Sequence, residues 1–322
     1  MKRGDIMERP MILLVNSGGE TAMDGWREEF ARHAPHLDVR WAGDPAVPPE
    51  DVRYAFVWAP KPGLLASLPN LRLICSSGAG VDHITGDPTW PAHVGIVRMG
   101  GDETAQRMGE YVCLAALGLL RGLPRMMAGQ RAGRWDHFDA PRTARETRVG
   151  VMGLGNLGLR AAEMLVGLGF QVSGWTRSRK AAAGIACFAG AGERDAFLAQ
   201  SDILVCLLPD TPETRWAIRA ETIALLPRGA AVVNAGRGAH VVAGDLIAAL
   251  DTGQLSGAVL DVFETEPLPA GDSLWSHPKV IVTPHIASLA SRPARARYVA
   301  EAIATFERGE APANLYDAAR GY

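Results

Sequence analysis

The stretch that decides the fold is RVGVMGLGNLGLRAAEML, from Arg148 to Leu165. A pattern typical of a buried strand leads directly into a glycine-rich turn, and a helical pattern follows. The turn is GLGNLG, which consists of Gly153, Leu154, Gly155, Asn156, Leu157 and Gly158. The first glycine permits a tight turn, the second lets the backbone approach a pyrophosphate, and the third lets helix and strand pack closely. Because the helix N-terminus offers free N–H groups to phosphates, the stretch predicts a dinucleotide-binding unit.

The turn after the next predicted strand indicates which dinucleotide is bound. An NAD site normally carries Asp or Glu about 20 residues beyond the glycines, where it accepts hydrogen bonds from the ribose 2′-hydroxyl. Here the strand ends at Trp175 and continues as TRSRK, with Arg177 and Ser178 in place of a carboxylate. The guanidinium can meet a 2′-phosphate while the serine donates one more bond. We therefore predict NADP(H) as the preferred cofactor. NAD(H) is the alternative, in which the turn is only a solvated basic surface.

Strand and helix patterns alternate along most of the 322 residues, which is typical of parallel sheets wrapped by helices. The first part has strand patterns at 11–15, 54–58, 71–75 and 95–98. The second part has them at 148–152, 171–175, 203–208, 230–234, 257–260 and 280–283, the six strands of a dinucleotide-binding sheet.

Two helix patterns set the predicted domain boundaries. One at 103–123 is mostly apolar, so we expect it to be buried between larger bodies, with a boundary at its start. Another at 293–309 has no strand after it, so we expect it to return to the first domain. The predicted fold is α/β with two Rossmann-like domains. A doubly wound, parallel-sheet dinucleotide-binding domain (102–291) is inserted into a smaller flavodoxin-like substrate domain (1–101 and 292–322).

Composition excludes several classes of function. The chain is 48% hydrophobic and 21% charged with a net charge of -2, and no charged tail suggests nucleic acid or a membrane surface. The four cysteines lack metal-ligand and CxxC spacing, so we predict no metal site and a reducing compartment. The apolar run Met11–Val15 is too short for a signal peptide or a membrane span. We therefore expect a cytoplasmic protein.

Three further segments carry the predicted chemistry, each at the end of a predicted strand, where ligands bind in this architecture. They are NAGRG with Arg237, LDVFETEPLP with Glu266, and TPHIA with His285. Arginine suits the carboxylate and carbonyl of a 2-oxo acid, because its planar fork keeps its charge. Histidine suits protonation of the developing alkoxide, and a neighbouring glutamate would orient it and favour its charged form. The pattern favours hydride transfer to a small 2-oxo acid.

The same motifs, together with GAGVDHI at Gly78–Ile84 and LLPDTPETR at Leu207–Arg215, occur in the order found in one known family. The chain resembles the D-isomer-specific 2-hydroxyacid dehydrogenases over nearly its whole length. The resemblance implies that Arg237 binds substrate, Glu266 supports the proton donor His285, and Asp261 holds the nicotinamide carboxamide. It also implies that the backbone of Ala79 and Gly80 binds the substrate carboxylate. The other expected cofactor contacts are Trp175, Leu207, Pro209, Thr214 and Ala235, with Arg237 and His285 again.

Within that family the chain is most similar to the glyoxylate/hydroxypyruvate reductase A type. The matching features are WTRSRK, AHVVAGDLIAAL, LPAGDSLWSHPKV and a terminal ARGY. The resemblance implies NADPH-dependent reduction of glyoxylate to glycolate and of hydroxypyruvate to D-glycerate. It also implies a homodimer, since in relatives the segment corresponding to 130–138 reaches a second subunit. The alternatives are a reductase of pyruvate or phenylpyruvate type, and a catalytically idle protein that senses nucleotides.

A few residues outside these motifs have two interpretations. Trp58, in VWAP, could line the substrate pocket, although large aromatic side chains usually anchor a core or an interface. Four other histidines, His83, His137, His240 and His277, are expected to be surface or capping residues.

Overall fold

The structure is a computed structural model that describes residues 11–140 and 142–322. The described chain forms two units. One contains the described residues up to Glu103 together with Ala290–Tyr322, and the other contains Thr104–Leu289. Residues 1–10 of the predicted first segment lie outside the described residues. Each unit has its own parallel sheet, and the predicted α/β fold class is confirmed.

The strands in chain order are β1 Met11–Val15, β2 Leu37–Trp41, β3 Val52–Val57, β4 Leu73–Ser76, β5 Gly95–Val97, β6 Arg148–Met152, β7 Gln171–Thr176, β8 Ile185–Ala189, β9 Ile203–Cys206, β10 Ala230–Asn234, β11 Leu255–Leu260 and β12 Val280–Val282. The α-helices are α1 Met23–His33, α2 Asp82–Thr85, α3 Asp102–Leu120, α4 Leu123–Arg131, α5 Asn156–Gly167, α6 Gly190–Ala199, α7 Ala220–Ala224, α8 Ala243–Asp251 and α9 Arg292–Glu307.

The first unit has a five-stranded sheet of order β2-β1-β3-β4-β5, which is the order of flavodoxin-like folds. Side chains alternate across this sheet because successive residues of a strand point to opposite faces. In β1, Leu13 and Val15 pack with the buried residues of α1 and α9, whereas Ile12 and Leu14 pack on the opposite face. The C-terminal helix α9 thus completes the core of the unit formed by the N-terminal part of the chain.

The second unit has a seven-stranded sheet of order β12-β11-β10-β9-β6-β7-β8. This is the classical dinucleotide-binding order with one more strand, and its connectivity reverses direction between β6 and β9. Ligands of such sheets bind outside the carboxyl ends of the strands at this switch point. The glycine-rich turn after β6 and the loop after β9 therefore stand where a dinucleotide is expected.

Two strands of the structure were not expected from the sequence. β2 and β8 were not predicted, and each lies at an edge of its sheet. Their burial is partial: in β2 the side chains of Asp38 and Arg40 pair with each other on the outside, 2.8 Å apart. The apolar run of β2 is interrupted by Asp38 and Arg40, which weakens its strand pattern. β8 is IACFA, an apolar run that was not predicted to be a strand.

The long helix predicted at 103–123 corresponds to α3, Asp102–Leu120, and α4 begins at Leu123 after a bend of 71°. Nine residues of α3 are buried, but Leu114 is 66% exposed, so the burial expected for this helix is incomplete in the single chain. Among the described residues no single helix is long and apolar enough to cross a membrane, and α3 with α4 meets that measure only as a bent pair.

Candidate active site

Three adjacent strands of the second unit end at the same level. In the parallel register Asn234 of β10 is opposite Leu260 of β11, and Leu260 is opposite Val282 of β12. The segments that follow these strands carry Arg237, Glu266 and His285. The three predicted residues therefore lie on neighbouring loops at the carboxyl edge of the sheet.

The arginine loop touches the glutamate loop. Gly238, next to Arg237, packs so closely that a Cβ atom there would overlap the Phe263 carbonyl carbon. The Phe263 N–H in turn donates to Glu266 Oε1 at 2.9 Å. Only a glycine after the arginine permits this approach, so the backbone contact fixes the arginine turn against the loop that holds the carboxylate.

The predicted histidine–carboxylate pair is formed. His285 Nδ1 and Glu266 Oε2 are 2.7 Å apart, and both side chains remain about one third exposed, at 31% and 33%. An ionised carboxylate only accepts, so Nδ1 carries a proton that it donates to Glu266. His285 also has a left-handed backbone with φ of 54°, a conformation that costs energy in a non-glycine residue.

Asp261 is the anchor that holds His285 in this conformation. Its carbonyl oxygen accepts the His285 N–H at 2.9 Å. Its carboxylate accepts the Ile286 N–H at 3.0 Å on Oδ1 and the Ala287 N–H at 2.9 Å on Oδ2, and it also accepts the Thr283 hydroxyl at 2.6 Å. The side chain is thus committed to the histidine loop. The contact of Asp261 with a nicotinamide carboxamide stays a prediction. Oδ2 could still accept one more hydrogen bond for it.

A tyrosine extends this anchor to α3. The Tyr111 hydroxyl lies 2.8 Å from Thr283 Oγ1. Since Thr283 gives its proton to Asp261, Tyr111 must donate to Thr283. Burial raises the pKa of the Tyr111 hydroxyl, so it keeps its proton for this bond. Nothing in the local sequence had indicated Tyr111, because an isolated tyrosine in an apolar helix usually belongs to a core.

The glycine-rich turn has the shape that a pyrophosphate requires. Gly153 has φ of 95°, and a Cβ there would lie 2.7 Å from Leu207 O. Any side chain at Gly158 would overlap Gly153 O, so the turn closes against the first residues of α5. A Cβ at Gly155, by contrast, would project into open space in front of the helix N-terminus. The residues present therefore fit a dinucleotide, with the predicted Asn156 and Leu157 in the first turn of α5.

The basic turn after β7 lies next to this loop. The Thr176 hydroxyl donates to Ser178 O at 2.6 Å and shapes the turn, and Lys180 Nζ donates to Leu154 O at 2.7 Å. A hydrogen bond from Thr211 lowers the pKa of Glu213, and the charge of Arg177 lowers it further. Arg177 therefore lies near Glu213 of the loop after β9. Trp175, at the end of β7, is held by a bond from Nε1 to Gly190 O at 2.9 Å.

The loop after β9 and the residue after β10 complete the expected cofactor contacts. The Thr214 hydroxyl donates to Pro209 O at 2.6 Å, which closes the loop on itself. The N–H of Leu207 bonds Met152 O at 2.9 Å, and that of Ala235 bonds Cys206 O at 3.2 Å. Together with the glycine-rich turn after β6, the loop after β9 and the residue after β10 are neighbours at one edge of the sheet.

The substrate residues predicted in the first unit lie together in that unit. Ala79 and Gly80 follow β4, and Trp58 follows β3. The Trp58 ring packs against Gly78 and lies 4.4 Å from the His83 ring between centroids. His83 Nδ1 accepts the Ala59 N–H at 3.1 Å, so Nε2 donates to Ser76 Oγ, also at 3.1 Å. His83, which is partly buried, therefore holds this loop through its two bonds.

His240 has the expected capping role, because its Nδ1 accepts the Arg237 N–H at the start of the turn Gly238–His240. It is not a surface residue, since its side chain is fully buried and also touches the loop after β9. The signal that could have indicated it is its place three residues after Arg237, in a turn between two buried segments. Among the described residues, no group of three or more His, Cys, Asp or Glu side chains is arranged to hold a metal ion.

The fold and these loops together define a dinucleotide-dependent dehydrogenase. Residues 113–287 match the family model described as D-isomer specific 2-hydroxyacid dehydrogenase, NAD binding domain. The glyoxylate/hydroxypyruvate reductase A of Serratia proteamaculans (strain 568) is 38% identical over 305 residues, which cover 92% of this chain and 96% of that protein. The chain therefore belongs to the D-isomer-specific 2-hydroxyacid dehydrogenase family.

Two solved structures are similar over almost the whole chain. A D-isomer-specific 2-hydroxyacid dehydrogenase from Xanthobacter autotrophicus Py2, in complex with NADPH and MES, is 43% identical with a TM-score of 0.90, covering 98% of this chain and 100% of that one. The NADPH-dependent glyoxylate/hydroxypyruvate reductase of Sinorhizobium meliloti, in complex with NADP and sulfate, is 36% identical with a TM-score of 0.89, covering 97% and 100%.

Proposed function

We propose that this enzyme uses NADPH to reduce glyoxylate to glycolate and hydroxypyruvate to D-glycerate. The observation that carries the proposal is the 2.7 Å contact between His285 and Glu266, in a loop beside the arginine turn and on the sheet whose glycine-rich turn fits a dinucleotide. The named activity of the Serratia and Sinorhizobium relatives supports this substrate class. The NADPH and NADP complexes of similar structures support the choice of cofactor.

Each of the three residues has a distinct task in the proposed reaction. Arg237 binds the substrate carboxylate and polarises the carbonyl, because its fixed positive charge stabilises negative charge that develops on oxygen. His285 in its imidazolium form delivers the Nε2 proton to that oxygen and keeps the Nδ1 proton, through which Glu266 orients the ring. NADPH, when bound, would supply the hydride, and Gly153–Gly158 with Arg177 and Ser178 would hold its phosphates.

The substrate is tested by initial rates with glyoxylate, hydroxypyruvate, pyruvate and phenylpyruvate, each with NADPH and NADH. We expect the highest kcat/KM for the first two with NADPH. A preference for pyruvate or phenylpyruvate would replace the proposed substrate with the alternative one. Saturable NADPH binding without turnover of any of the four would overturn the proposal altogether.

The role of the histidine is tested by His285→Ala. We expect kcat for glyoxylate to fall by about 10²- to 10⁴-fold, the usual contribution of a general acid, with NADPH affinity retained. His93→Ala is the matched control, since His93 is an exposed histidine of the first unit. Unchanged turnover in His285→Ala would refute the assignment.

In the first unit, we propose that the main-chain N–H groups of Ala79 and Gly80 bind the substrate carboxylate and that Trp58 limits the size of the substrate. The hydrogen bonds among Ser76, His83 and Ala59 support this, because they hold the loop rigid. We expect Trp58→Ala to raise kcat/KM for phenylpyruvate relative to glyoxylate. An unchanged ratio would assign the indole to packing alone.

We propose that the enzyme is a cytoplasmic homodimer in which α3, α4 and the segment after them face a second copy. On these helices the apolar side chains of Leu114, Leu117 and Met126 are exposed, and Trp135 just beyond them is 97% exposed. Clustered exposed apolar residues favour association. The four cysteines are unpaired, as expected in a reducing compartment. Light scattering should give twice the mass of one chain.

A further inference from the structure

His240 occupies a fully buried position between two loops of the candidate site. Its Nδ1 lies 3.0 Å from the main-chain nitrogen of Arg237, and its Nε2 lies 3.1 Å from Pro209 O. The Cys206 thiol is 3.5 Å from Nδ1. One imidazole thus bridges the turn of the predicted substrate-binding arginine and the loop of the predicted cofactor contacts.

The two partners fix the state of the ring. The Arg237 N–H can only donate, so Nδ1 must be the acceptor, and Pro209 O can only accept, so Nε2 must carry the proton. His240 is therefore a neutral imidazole with a single tautomer. A protonated ring would bring two hydrogens together between Nδ1 and the Arg237 nitrogen.

Each bond supports a different function. The bond to the Arg237 nitrogen, together with that from Asn234 Nδ2 to Arg237 O at 2.9 Å, holds both main-chain polar groups of the arginine. The bond to Pro209 O is shared with the Thr214 hydroxyl, so it holds the closed loop after β9. Buried bonds of this kind are retained in the folded state because an unmet partner is costly.

We propose that His240 is a positioning residue that sets the substrate-binding arginine through Nδ1 and the cofactor loop through Nε2. The proposal rests on the proposed function, since it takes the roles of Arg237 and Pro209 from there. It predicts that the two effects can be separated, because the two nitrogens have separate partners. A residue that only filled the core would affect both sites together.

The experiment compares three variants by KM for glyoxylate and Kd for NADPH. His240→Asn places an amide oxygen near Nδ1 and keeps the Arg237 bond, so KM should stay near the wild-type value while Kd rises about tenfold. His240→Gln places an amide nitrogen near Nε2 and keeps the Pro209 bond, so the pattern should reverse. His240→Leu should lose both. Cys206→Ala, which disturbs the same buried spot but neither bond, is the control.

Melting temperatures of the Asn and Gln variants should be similar, since each loses one bond. Parallel changes of KM and Kd in both variants, or wild-type constants in His240→Leu, would overturn the positioning role. Assays of the wild-type protein distinguish failure of the positioning role from failure of the proposed function. If the wild type binds NADPH but does not reduce glyoxylate, the proposed reductase activity is wrong. In that case Kd alone tests the Nε2 bond, which Gln must preserve and Asn must lose.

Discussion

Glu266 uses both oxygens of its carboxylate, one for the Phe263 N–H and one for His285 Nδ1. Glu266→Gln keeps the size of the side chain but removes its charge and replaces one acceptor with a donor. If its oxygen still accepts the Phe263 N–H, His285 Nδ1 can keep a bond only as an acceptor, without its proton. We expect kcat for glyoxylate to fall by about 10²-fold or more, because the imidazole is no longer oriented or supported by charge. NADPH affinity, measured by fluorescence titration, should be retained.

The control for that variant is Glu264→Gln, an exposed glutamate of the same loop. It should turn over glyoxylate like the wild type. If Glu266→Gln also retained full kcat, the carboxylate would have no part in the reaction.

Arg177 determines the choice of cofactor in our interpretation. Arg177→Asp replaces the cation expected at the 2′-phosphate with an acceptor for a 2′-hydroxyl, so the ratio of kcat/KM for NADPH to that for NADH should fall at least tenfold. The ratio is measured from initial rates with glyoxylate. Arg194→Asp, the same change of charge on α6, should leave the ratio unaltered. An unaltered ratio in Arg177→Asp would make the turn a solvated surface.

The sequence led to the three residues with proposed catalytic roles and did not indicate two residues that hold their loops. Arg237, Glu266 and His285 stand in motifs at strand ends, and the chemistry of a 2-oxo acid suggests their residue types. Tyr111 stands alone in an apolar helix, and the position of His240 three residues after Arg237 does not by itself show which groups it contacts. Such partners are set by tertiary packing and cannot be read from spacing along one segment.

Among the elements, the amino ends of β6 and β9 are joined by Asp202. Its carboxylate is 6% exposed and accepts bonds from the Arg148 side chain at 2.9 and 3.0 Å. Burial alone would raise the pKa of Asp202, but the hydrogen bonds and charges of Arg148 and Arg142 lower it to about 2. The folded pKa is thus below the unfolded one. The resulting stabilisation is complete above about pH 4 and is lost as the pH falls toward 2.

Asp202→Asn should therefore lower the free energy of unfolding by about 2 kcal/mol at neutral pH. It should also flatten the decline of stability between about pH 4 and the lowest pH at which the protein stays folded. Urea unfolding at several pH values measures both effects. Asp195→Asn, at an exposed aspartate of α6, is the control and should follow the wild type. Equal slopes for all three proteins would contradict the assigned pKa.

Central and edge elements differed in how well they could be predicted. Strands such as β9 and β10, buried along their whole length, are runs of apolar residues that only a sheet interior explains. The edge strand β2 contains Asp38 and Arg40, so its apolar pattern is weak, whereas β8 is apolar throughout and was still not predicted. The predicted helix ran three residues beyond Leu120, into the turn at Arg121 and Gly122 that separates α3 from α4.

At the scale of the whole molecule, the exposed apolar side chains of α3 and α4 are the basis of the homodimer that we propose. Leu114→Lys would place an ammonium in a surface that a second copy should cover, and burying an unpaired charge costs several kcal/mol. We expect light scattering at micromolar concentration to give the mass of one chain for this variant. Leu168→Lys makes the same change at another apolar residue, 43% exposed and next to α5, and should leave the mass doubled. If Leu114→Lys kept the doubled mass, α3 would not form the interface, and its apolar face would need another occupant.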